Sequence, residues 1–503
     1  MKVPVWGTAD AGETVTVEFA GQKLSAQADA GGDWRVYFKP LKVSAESRTL
    51  TVTGSSTAQP ITLDDVLVGE VWLASGQSNM DFSMSDKALD SMGKAKYFAG
   101  VTNADQEIAA ANYPLIRMFI GNACKAYKPQ LCVTGAWQVC TPQTAPSFCA
   151  VGYFFARDLQ RQIKVPVGII AEAYGASTAE SWIRRETMAS DPQLKPMLDR
   201  FDAAVESFRT NRPAVIAPSR SEDVNATNEV AIATNATVTA TNVASAGTTN
   251  ATPGRRRRGP AGPRDPVQDQ HNATVLFNGM INPVIPYAIR GAIWYQGESI
   301  LGGADGIALY PHVQETLIKD WRALWGDGDF PFYIVQLPGQ EAASNSPKVR
   351  EAQALGLTLP KTGMAVTTDI GEAHNVHPKN KQDVGDRLSR IALANVYGSK
   401  IEYSGPVYKS MKVEGGAIRV KFSHLGGGLV AKGGGSLKWF EIAGADQKFM
   451  PADAKIDGST VVVGSPQVTA PFAVRYAWVN YPVGCNLFNA AGLPAAQFRT
   501  DNW

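Results

Sequence analysis

Hydrophobic and polar positions alternate one by one along the first part of the chain. Short runs at residues 13–19, 34–38 and 49–52 show this period of two, and Gly- and Ser-containing turns separate them. The pattern is typical of strands with one buried face. We therefore predict a small β-sandwich over residues 1–63. It is either a sugar-binding module or a structural flank of the next domain, and we favour the flank.

From residue 64 to 398 the pattern changes, and apolar strands alternate with amphipathic helices. The predicted strands are 68–74, 116–120, 165–171, 290–295, 332–337 and 363–368, and the predicted helices are 151–163, 309–325 and 381–397. Such alternation predicts an α/β domain whose parallel sheet is covered on both faces. Sites in these sheets form where the carboxyl ends of the strands meet. Ser78, Gly175, Gln296 and Asp369 each follow a predicted strand, so we expect them at one edge.

Two further regions complete the organisation. Residues 400–503 return to short strands with Gly-rich turns, which predicts a second β-sandwich. Residues 213–271 are low in complexity and contain four consecutive arginines at 255–258, and they predict a long, mobile surface insertion in the α/β domain. Asn-Ala-Thr triplets, which match the glycosylation acceptor pattern, begin at Asn225, Asn235, Asn250 and Asn272.

Composition and charge narrow the class of protein. The chain has 503 residues and a formal net charge of +2. That length predicts several domains, and the charge does not favour nucleic acid or an anionic membrane as a partner. No apolar run is long enough to span a bilayer. The first residues lack the apolar core of a signal peptide, so the protein is either cytoplasmic or exported with its leader removed.

The five cysteines show no metal-site spacing, and no zinc site is predicted. Cys124 and Cys132 flank a short loop and are predicted either to form a disulfide or to remain free thiols. The odd count leaves at least one cysteine unpaired within the chain.

Three strand-end stretches carry candidate chemistry. Ser78 follows a buried strand in a Gly-Gln-Ser-Asn turn, which can present a hydroxyl beside outward-pointing N–H groups. In Gln296-Gly297-Glu298 a side-chain amide can donate to an oxyanion and a carboxylate can orient a histidine. His377 lies in a third strand-end loop, where it can act as a general base. Together the stretches favour a hydrolase over ordinary polar turns.

These stretches also carry a family resemblance. Gly-Gln-Ser-Asn-Met at 76–80, Trp-Tyr-Gln-Gly-Glu-Ser at 294–299 and His-Pro-Lys-Asn-Lys-Gln-Asp-Val-Gly at 377–385 resemble the sialate O-acetylesterase family of carbohydrate esterases, a branch of the SGNH hydrolases. Residues 179–182 and 277–281 match as well. The resemblance covers nearly the whole chain apart from the low-complexity tract. It implies a three-layer α/β/α core flanked by β-sandwiches.

By this resemblance Ser78 is the nucleophile and His377 the general base. The oxyanion hole is formed by the N–H groups of Ser78 and Gly175 and by the Gln296 amide. Many SGNH enzymes carry Asp three residues before the histidine, but His374 stands there in this chain. Glu298 is therefore the preferred acid and Asp369 the reserve. A dyad, with a backbone carbonyl orienting the imidazole, is a further alternative.

The resemblance implies a serine esterase that deacetylates carbohydrates through an acetyl-enzyme, without a metal or an organic cofactor. The expected partner is an acetylated carbohydrate, either a polysaccharide or oligosaccharide such as xylan or xyloglucan, or an O-acetylated sialic acid. We expect a secreted or periplasmic location, with a cytoplasmic one as the alternative. The competing hypothesis is a non-catalytic carbohydrate-binding protein on an inactive esterase core. The oligomeric state is not predicted.

Overall fold

Short antiparallel strands form an N-terminal β module. The structure is a computed structural model, and it describes residues 1–56, 59–88, 96, 98–211, 264–300 and 304–503. The strands are β1 (Val3–Thr8), β2 (Thr14–Phe19), β3 (Gln22–Gln27), β4 (Asp33–Phe38), β5 (Ser44–Gly54) and β6 (Ile61–Val68). One sheet has the order β3-β2-β5-β6, and β1 pairs with β4. Alternating residues of β2 and β4 form the core, and β6 continues past residue 63, the predicted boundary.

A seven-stranded sheet forms the centre of the molecule. Its strands are β7 (Glu70–Gly76), β8 (Tyr113–Gly121), β9 (Gly135–Cys140), β10 (Val167–Ala173), β11 (Gly291–Tyr295), β12 (Phe332–Val335) and β13 (Thr362–Ala365). Their order is β13-β12-β11-β7-β10-β8-β9. All neighbouring pairs are parallel except β8 with β9. The predicted parallel α/β sheet is therefore confirmed, with an antiparallel edge strand that the sequence analysis did not include.

Helices cover both faces of this sheet. The described α-helices are α1 (Ser78–Asp81), α2 (Ala104–Ala109), α3 (Ala150–Ile163), α4 (Arg185–Ser190), α5 (Lys195–Thr210), α6 (Ala304–Trp325), α7 (Ser346–Ala354) and α8 (Gln382–Asn395). Apolar residues of α3 and α8 pack with Trp72 and Ile169 on one face. Those of α5 and α6 pack with Leu73 and Ile170 on the other. Because neighbouring residues of a strand point to opposite faces, both faces of β7 and β10 are apolar.

The C-terminal region is a second antiparallel β module. Its strands are β14 (Val407–Glu414), β15 (Ala417–Ser423), β16 (Leu429–Ala431), β17 (Phe440–Ala443), β18 (Phe449–Pro451), β19 (Asp453–Asp457), β20 (Thr460–Gly464), β21 (Ala473–Tyr476), β22 (Leu487–Asn489) and β23 (Phe498–Arg499). The sheets have the orders β14-β15-β20-β19, β18-β17-β21-β23 and β16-β22, and they share one apolar core. This agrees with the predicted flanking β regions.

The predicted insertion is wrong in its last part. From residue 264 the chain packs on the α/β domain: Val267 is buried, and the hydroxyl of Tyr127 donates to the Asp265 carboxylate. The low-complexity pattern missed this segment, from residue 264 to 271, because a few of its residues are enough to pack it against the α/β domain. Residues 212–263, with the arginine run and the triplets at Asn225, Asn235 and Asn250, lie outside the described residues. The Asn272 amide donates to the Pro266 carbonyl, 2.8 Å away.

The cysteines are free thiols throughout the described chain, so Cys124 and Cys132 are not bridged. Within the same residues no helix is both long and apolar enough to cross a membrane.

Candidate active site

A glycine at the end of β7 fixes the turn that carries Ser78. Gly76 has φ +137°, and a Cβ built on it would lie 2.2 Å from the Tyr295 carbonyl oxygen on the neighbouring strand β11. Only glycine tolerates both this backbone conformation and this close approach. The Gln77 N–H then donates to the same Tyr295 carbonyl over 2.9 Å. Ser78 consequently begins helix α1 directly beyond the sheet edge.

The histidine loop reaches Ser78 from the other side of that edge. This loop lies between β13 and α8, and Nε2 of His377 is 2.8 Å from the Ser78 Oγ. The His377 N–H donates to the Asn375 Oδ1 over 3.0 Å, and the Asn375 amide donates back to the His377 carbonyl over 2.9 Å. The Phe98 ring stands 5.0 Å from the imidazole, centroid to centroid. A hydroxyl and an imidazole in this arrangement can form a nucleophile and its general base.

The surroundings favour the neutral imidazole. Burial, and to a smaller extent the positive charge of Lys381, together lower the pKa of His377 to about 4. A neutral Nε2 can accept the hydroxyl proton of Ser78 at neutral pH. Among the described residues, no carboxylate lies within ion-pair distance of this imidazole. Ser78 and His377 therefore meet as a pair, without a directly bonded acid.

The two candidate acids have other partners. Both carboxylate oxygens of Asp369 accept hydrogen bonds from the Arg387 guanidinium at 2.7 Å, and this ion pair is buried. His374, which stands where the family pattern has an acid, is exposed and lies 3.7 Å from Glu341. The carboxylate of Glu298 accepts a hydrogen bond from the Asn79 amide. The chain turns at Gly297 (φ +153°) after β11, and this turn directs Glu298 towards Asn79.

The candidate oxyanion groups follow three neighbouring strands of the sheet, β7, β10 and β11. The N–H groups of Ser78 and Gly175 donate to no described residue. The Tyr174 N–H donates to the Gly76 carbonyl over 3.0 Å, which ties the loop after β10 to the Ser78 turn. The Gln296 amide is engaged elsewhere: its Nε2 donates to the Ser177 carbonyl over 3.2 Å, and its Oε1 accepts from the Tyr310 hydroxyl over 2.9 Å.

An open cleft of about 370 Å³ lies over the histidine loop. It combines aromatic rings with amide and cationic groups, and its lining includes Phe82, Phe98, Gln340, Asn375, His377 and Lys379. Stacking surfaces beside hydrogen-bonding groups suit a sugar ring, which has apolar faces and a polar rim. Within the described residues, no cluster of three or more His, Cys, Asp or Glu side chains could hold a metal ion.

Comparisons with known proteins identify the family. Residues 269–394 match the family described as carbohydrate esterase, sialic acid-specific acetylesterase. The chain is also similar to the crystal structure of a carbohydrate acetylesterase from Xanthomonas citri, with 32% identity, a TM-score of 0.78, and coverage of 100% of this chain and 96% of that one. The chain belongs to the sialate O-acetylesterase family of carbohydrate esterases. It is thus a carbohydrate esterase, as the sequence motifs predicted.

Curated relatives of the esterase agree with this assignment. The sialate O-acetylesterase of Mus musculus is 25% identical over 98% of this chain and 90% of its own length. That of Homo sapiens is 24% identical, covering 98% of this chain and 88% of its own. The match therefore includes the flanking β modules as well as the α/β domain.

Two residues of the site had no predicted role. Asn79 and Lys381 lie inside the motifs that signal the family, but their side chains are buried against each other, and the Lys381 ammonium donates to the Asn79 Oδ1. The sequence did hold a hint of a role for these residues: both are polar and lie inside the motifs, and Asn79 directly follows the candidate nucleophile Ser78. Their pairing joins helix α1 to the residue before helix α8, 302 positions apart in the chain, and is not visible in local patterns.

Proposed function

We propose that this esterase removes O-acetyl groups from carbohydrates by a serine mechanism, with Ser78 as nucleophile and His377 as general base. The observation that carries the proposal is the 2.8 Å contact between the Ser78 Oγ and the His377 Nε2 at the carboxyl edge of the parallel sheet. Burial lowers the pKa of His377, so its Nε2 is unprotonated at neutral pH and can accept the hydroxyl proton of Ser78.

Acylation begins when His377 takes the Ser78 hydroxyl proton on Nε2. The Ser78 Oγ forms a bond to the acetyl carbonyl carbon, and the carbonyl oxygen becomes an oxyanion. The N–H groups of Ser78 and Gly175 donate to that oxygen, because neither is used inside the described fold. The bond to the sugar oxygen then breaks, and the sugar leaves with the proton from His377. The product is a free sugar hydroxyl and an acetyl ester on Ser78.

Deacylation reverses the proton movements with water as nucleophile. His377 takes a proton from water, the water oxygen attacks the acetyl carbon, and the Ser78 Oγ leaves and regains a proton. Acetate is released, and the enzyme returns to its starting state. Every step uses the chain's own groups and water.

We assign Gln296 and Glu298 to the support of these groups. The Gln296 amide holds the Ser177 carbonyl, two residues after Gly175, so it supports the loop that presents the Gly175 N–H. Glu298 bonds to Asn79 and acts on the catalytic pair through it. The absence of a carboxylate at His377 among the described residues favours the dyad over a triad completed by Asp369.

The proposed substrate is an acetylated carbohydrate whose ring enters the cleft beside Phe98. Acetylated xylan, acetylated xyloglucan and O-acetylated sialic acids are the candidates. For a polymeric substrate the enzyme would act outside the cytoplasm, and we propose a secreted or periplasmic location on that ground.

The test is acetate release from each candidate substrate by the wild type and two serine variants. Ser78→Ala should lower kcat/KM by roughly 10⁴-fold or more on every substrate that the wild type cleaves. Ser83→Ala is the matched control, because Ser83 is also buried nearby and its hydroxyl has no partner among the described residues. The control should keep wild-type rates. Substantial hydrolysis by folded Ser78→Ala would overturn the mechanism.

A further inference from the structure

The side-chain amide of Asn79 joins the two loops that carry the catalytic pair. Asn79 follows Ser78 directly, and its Nδ2 donates to the Val376 carbonyl over 3.0 Å, one residue before His377. The second hydrogen of Nδ2 is given to the Glu298 carboxylate, and the Oδ1 accepts from Lys381. Both donors and the acceptor of this amide are therefore occupied, which fixes its orientation. The amide thus links the residue after Ser78 to the residue before His377.

Lys381 is almost fully buried, which is rare for a lysine. It is 1% exposed, and its ammonium lies 4.6 Å from the centroid of the Phe82 ring and 5.4 Å from that of Tyr295. Removing an ammonium from water is costly, and a buried ion pair is weak evidence for stability. A methionine of similar length would fill the same space without that cost, so stability alone does not explain Lys381.

Lys381 interacts electrostatically with groups on both sides of the site, among them Glu298 and His377. The charged and titratable groups around it include Glu298, Glu372, Cys149, Tyr295 and His377. Burial lowers the pKa of Lys381 to about 7, while the two glutamates oppose that change. The pKa of His377, lowered to about 4, lies below that of Lys381, so Lys381 carries its charge while His377 gains a proton. The ammonium thus disfavours the protonated imidazole.

We propose that Lys381 and Glu298 are positioning residues. They fix the orientation of the Asn79 amide, and through it they hold Ser78 and His377 at the distance needed for proton transfer. This inference rests on the proposed serine mechanism. Neither side chain needs to touch the substrate, because each acts through Asn79. Lys381 adds a second effect, since its charge adds to that of burial in disfavouring the protonated form of His377.

The first test replaces the lysine by an uncharged residue of similar length. Lys381→Met should lower kcat on a soluble acetyl ester by about 10²-fold with little change in KM, because a misplaced catalytic pair affects the chemical step. The acidic limb of the kcat/KM profile should move to higher pH, because the charge that opposes protonation of His377 is gone. A purely structural role would not move this limb. Lys432→Met is the control, since Lys432 also lies over a ring, 4.4 Å from the centroid of Phe488, but in the C-terminal module.

The second test uses a pair of changes at Glu298. Glu298→Gln keeps an oxygen that accepts from Asn79, whereas Glu298→Leu removes it. We expect kcat to stay within about tenfold of the wild type in the glutamine variant and to fall further in the leucine variant. Equal losses in both would show that the hydrogen bond to Asn79 is not what matters.

The outcomes separate this inference from the mechanism beneath it. Wild-type kcat and an unmoved acidic limb in folded Lys381→Met would overturn the positioning role, while an inactive Ser78→Ala would leave the serine mechanism standing. If Lys381→Met does not fold, the double variant with Glu298→Gln carries the test, because it removes both buried charges together. If the double variant is also unfolded, the hydrogen bonds among Asn79, Glu298 and Lys381 are needed for folding, and the inference is overturned.

Discussion

Replacing Asp369 by asparagine should weaken the fold and spare the chemistry. Asp369 was the reserve acid in the sequence analysis, yet its two carboxylate oxygens are bound to Arg387, and both side chains are almost fully buried, at 5% and 6% exposure. The asparagine side chain would keep one acceptor and lose the charge. Arg387 would retain its hydrogen bond to the Val366 carbonyl and a 3.5 Å contact with Asp383.

The expected size of the effect follows from this burial. Breaking a buried ion pair by removing one partner destabilises a protein by about 3–5 kcal/mol, because the other charge is left uncompensated. The remaining bonds of Arg387 put the Asp369→Asn variant at the lower end, about 3 kcal/mol. Typical unfolding free energies are about 5–15 kcal/mol, so the variant should remain folded at 25 °C. Its kcat should stay within about tenfold of the wild-type value, or about 1.4 kcal/mol of barrier.

Urea unfolding and Michaelis–Menten kinetics on one preparation provide the assay. Asp383→Asn is the matched control, because Asp383 contacts the same guanidinium but is 45% exposed, and it should cost at most about 1 kcal/mol. The reasoning would be refuted by an Asp369→Asn variant that unfolds like the wild type but has lost more than about 10²-fold in kcat. That result would restore Asp369 as the acid of a triad.

Further predictions concern pH and the glycine of the nucleophile turn. Burial lowers the pKa of His377 to about 4, so kcat/KM should fall only as the pH approaches that value, and a midpoint near the ordinary pKa of free imidazole would contradict the assignment. Glu172 has two buried carboxylate oxygens with no partner among the described residues, and burial raises its pKa well above the usual range. The folded state therefore keeps a proton that the unfolded state releases, so stability falls as the pH rises. In urea titrations Glu172→Gln should become more stable relative to the wild type as the pH rises above the ordinary pKa of a glutamate, and a stability difference that does not change with pH would contradict this. Gly76→Ala should destabilise by at least roughly 1–3 kcal/mol through backbone strain alone, as read from thermal unfolding; a wild-type midpoint would show that the turn relaxes.

The sequence predicted the elements whose signal is local. Helix α3 and the apolar strands β7, β10 and β11 show clear periodicity, and their strand ends predicted the edge at which Ser78 lies. Helix α5 was not predicted, although Leu198, Phe201 and Val205 recur on one face of it. Strand β9 was also missing, because its residues are partly exposed and it is ordered by pairing with β8.

The partners of the site residues could not be predicted from the sequence. A spacing of two residues places Glu298 near Gln296 in the chain, but the left-handed turn at Gly297 decides which way its carboxylate faces. Asp369 ends beside Arg387 because α8 returns across the sheet and brings that guanidinium to the strand end. These relations come from tertiary packing, so the sequence indicated which residues are near the edge and not which of them bond to each other.

The nucleophile can be tested directly by labelling with a fluorophosphonate, which reacts with activated serine hydroxyls. Peptide mapping by mass spectrometry should find the adduct on Ser78, in step with the loss of acetyl-ester hydrolysis, and Ser78→Ala should take up no label. Complete inactivation with the adduct on another residue would contradict the account. Full hydrolysis by enzyme whose Ser78 is completely labelled would contradict it equally.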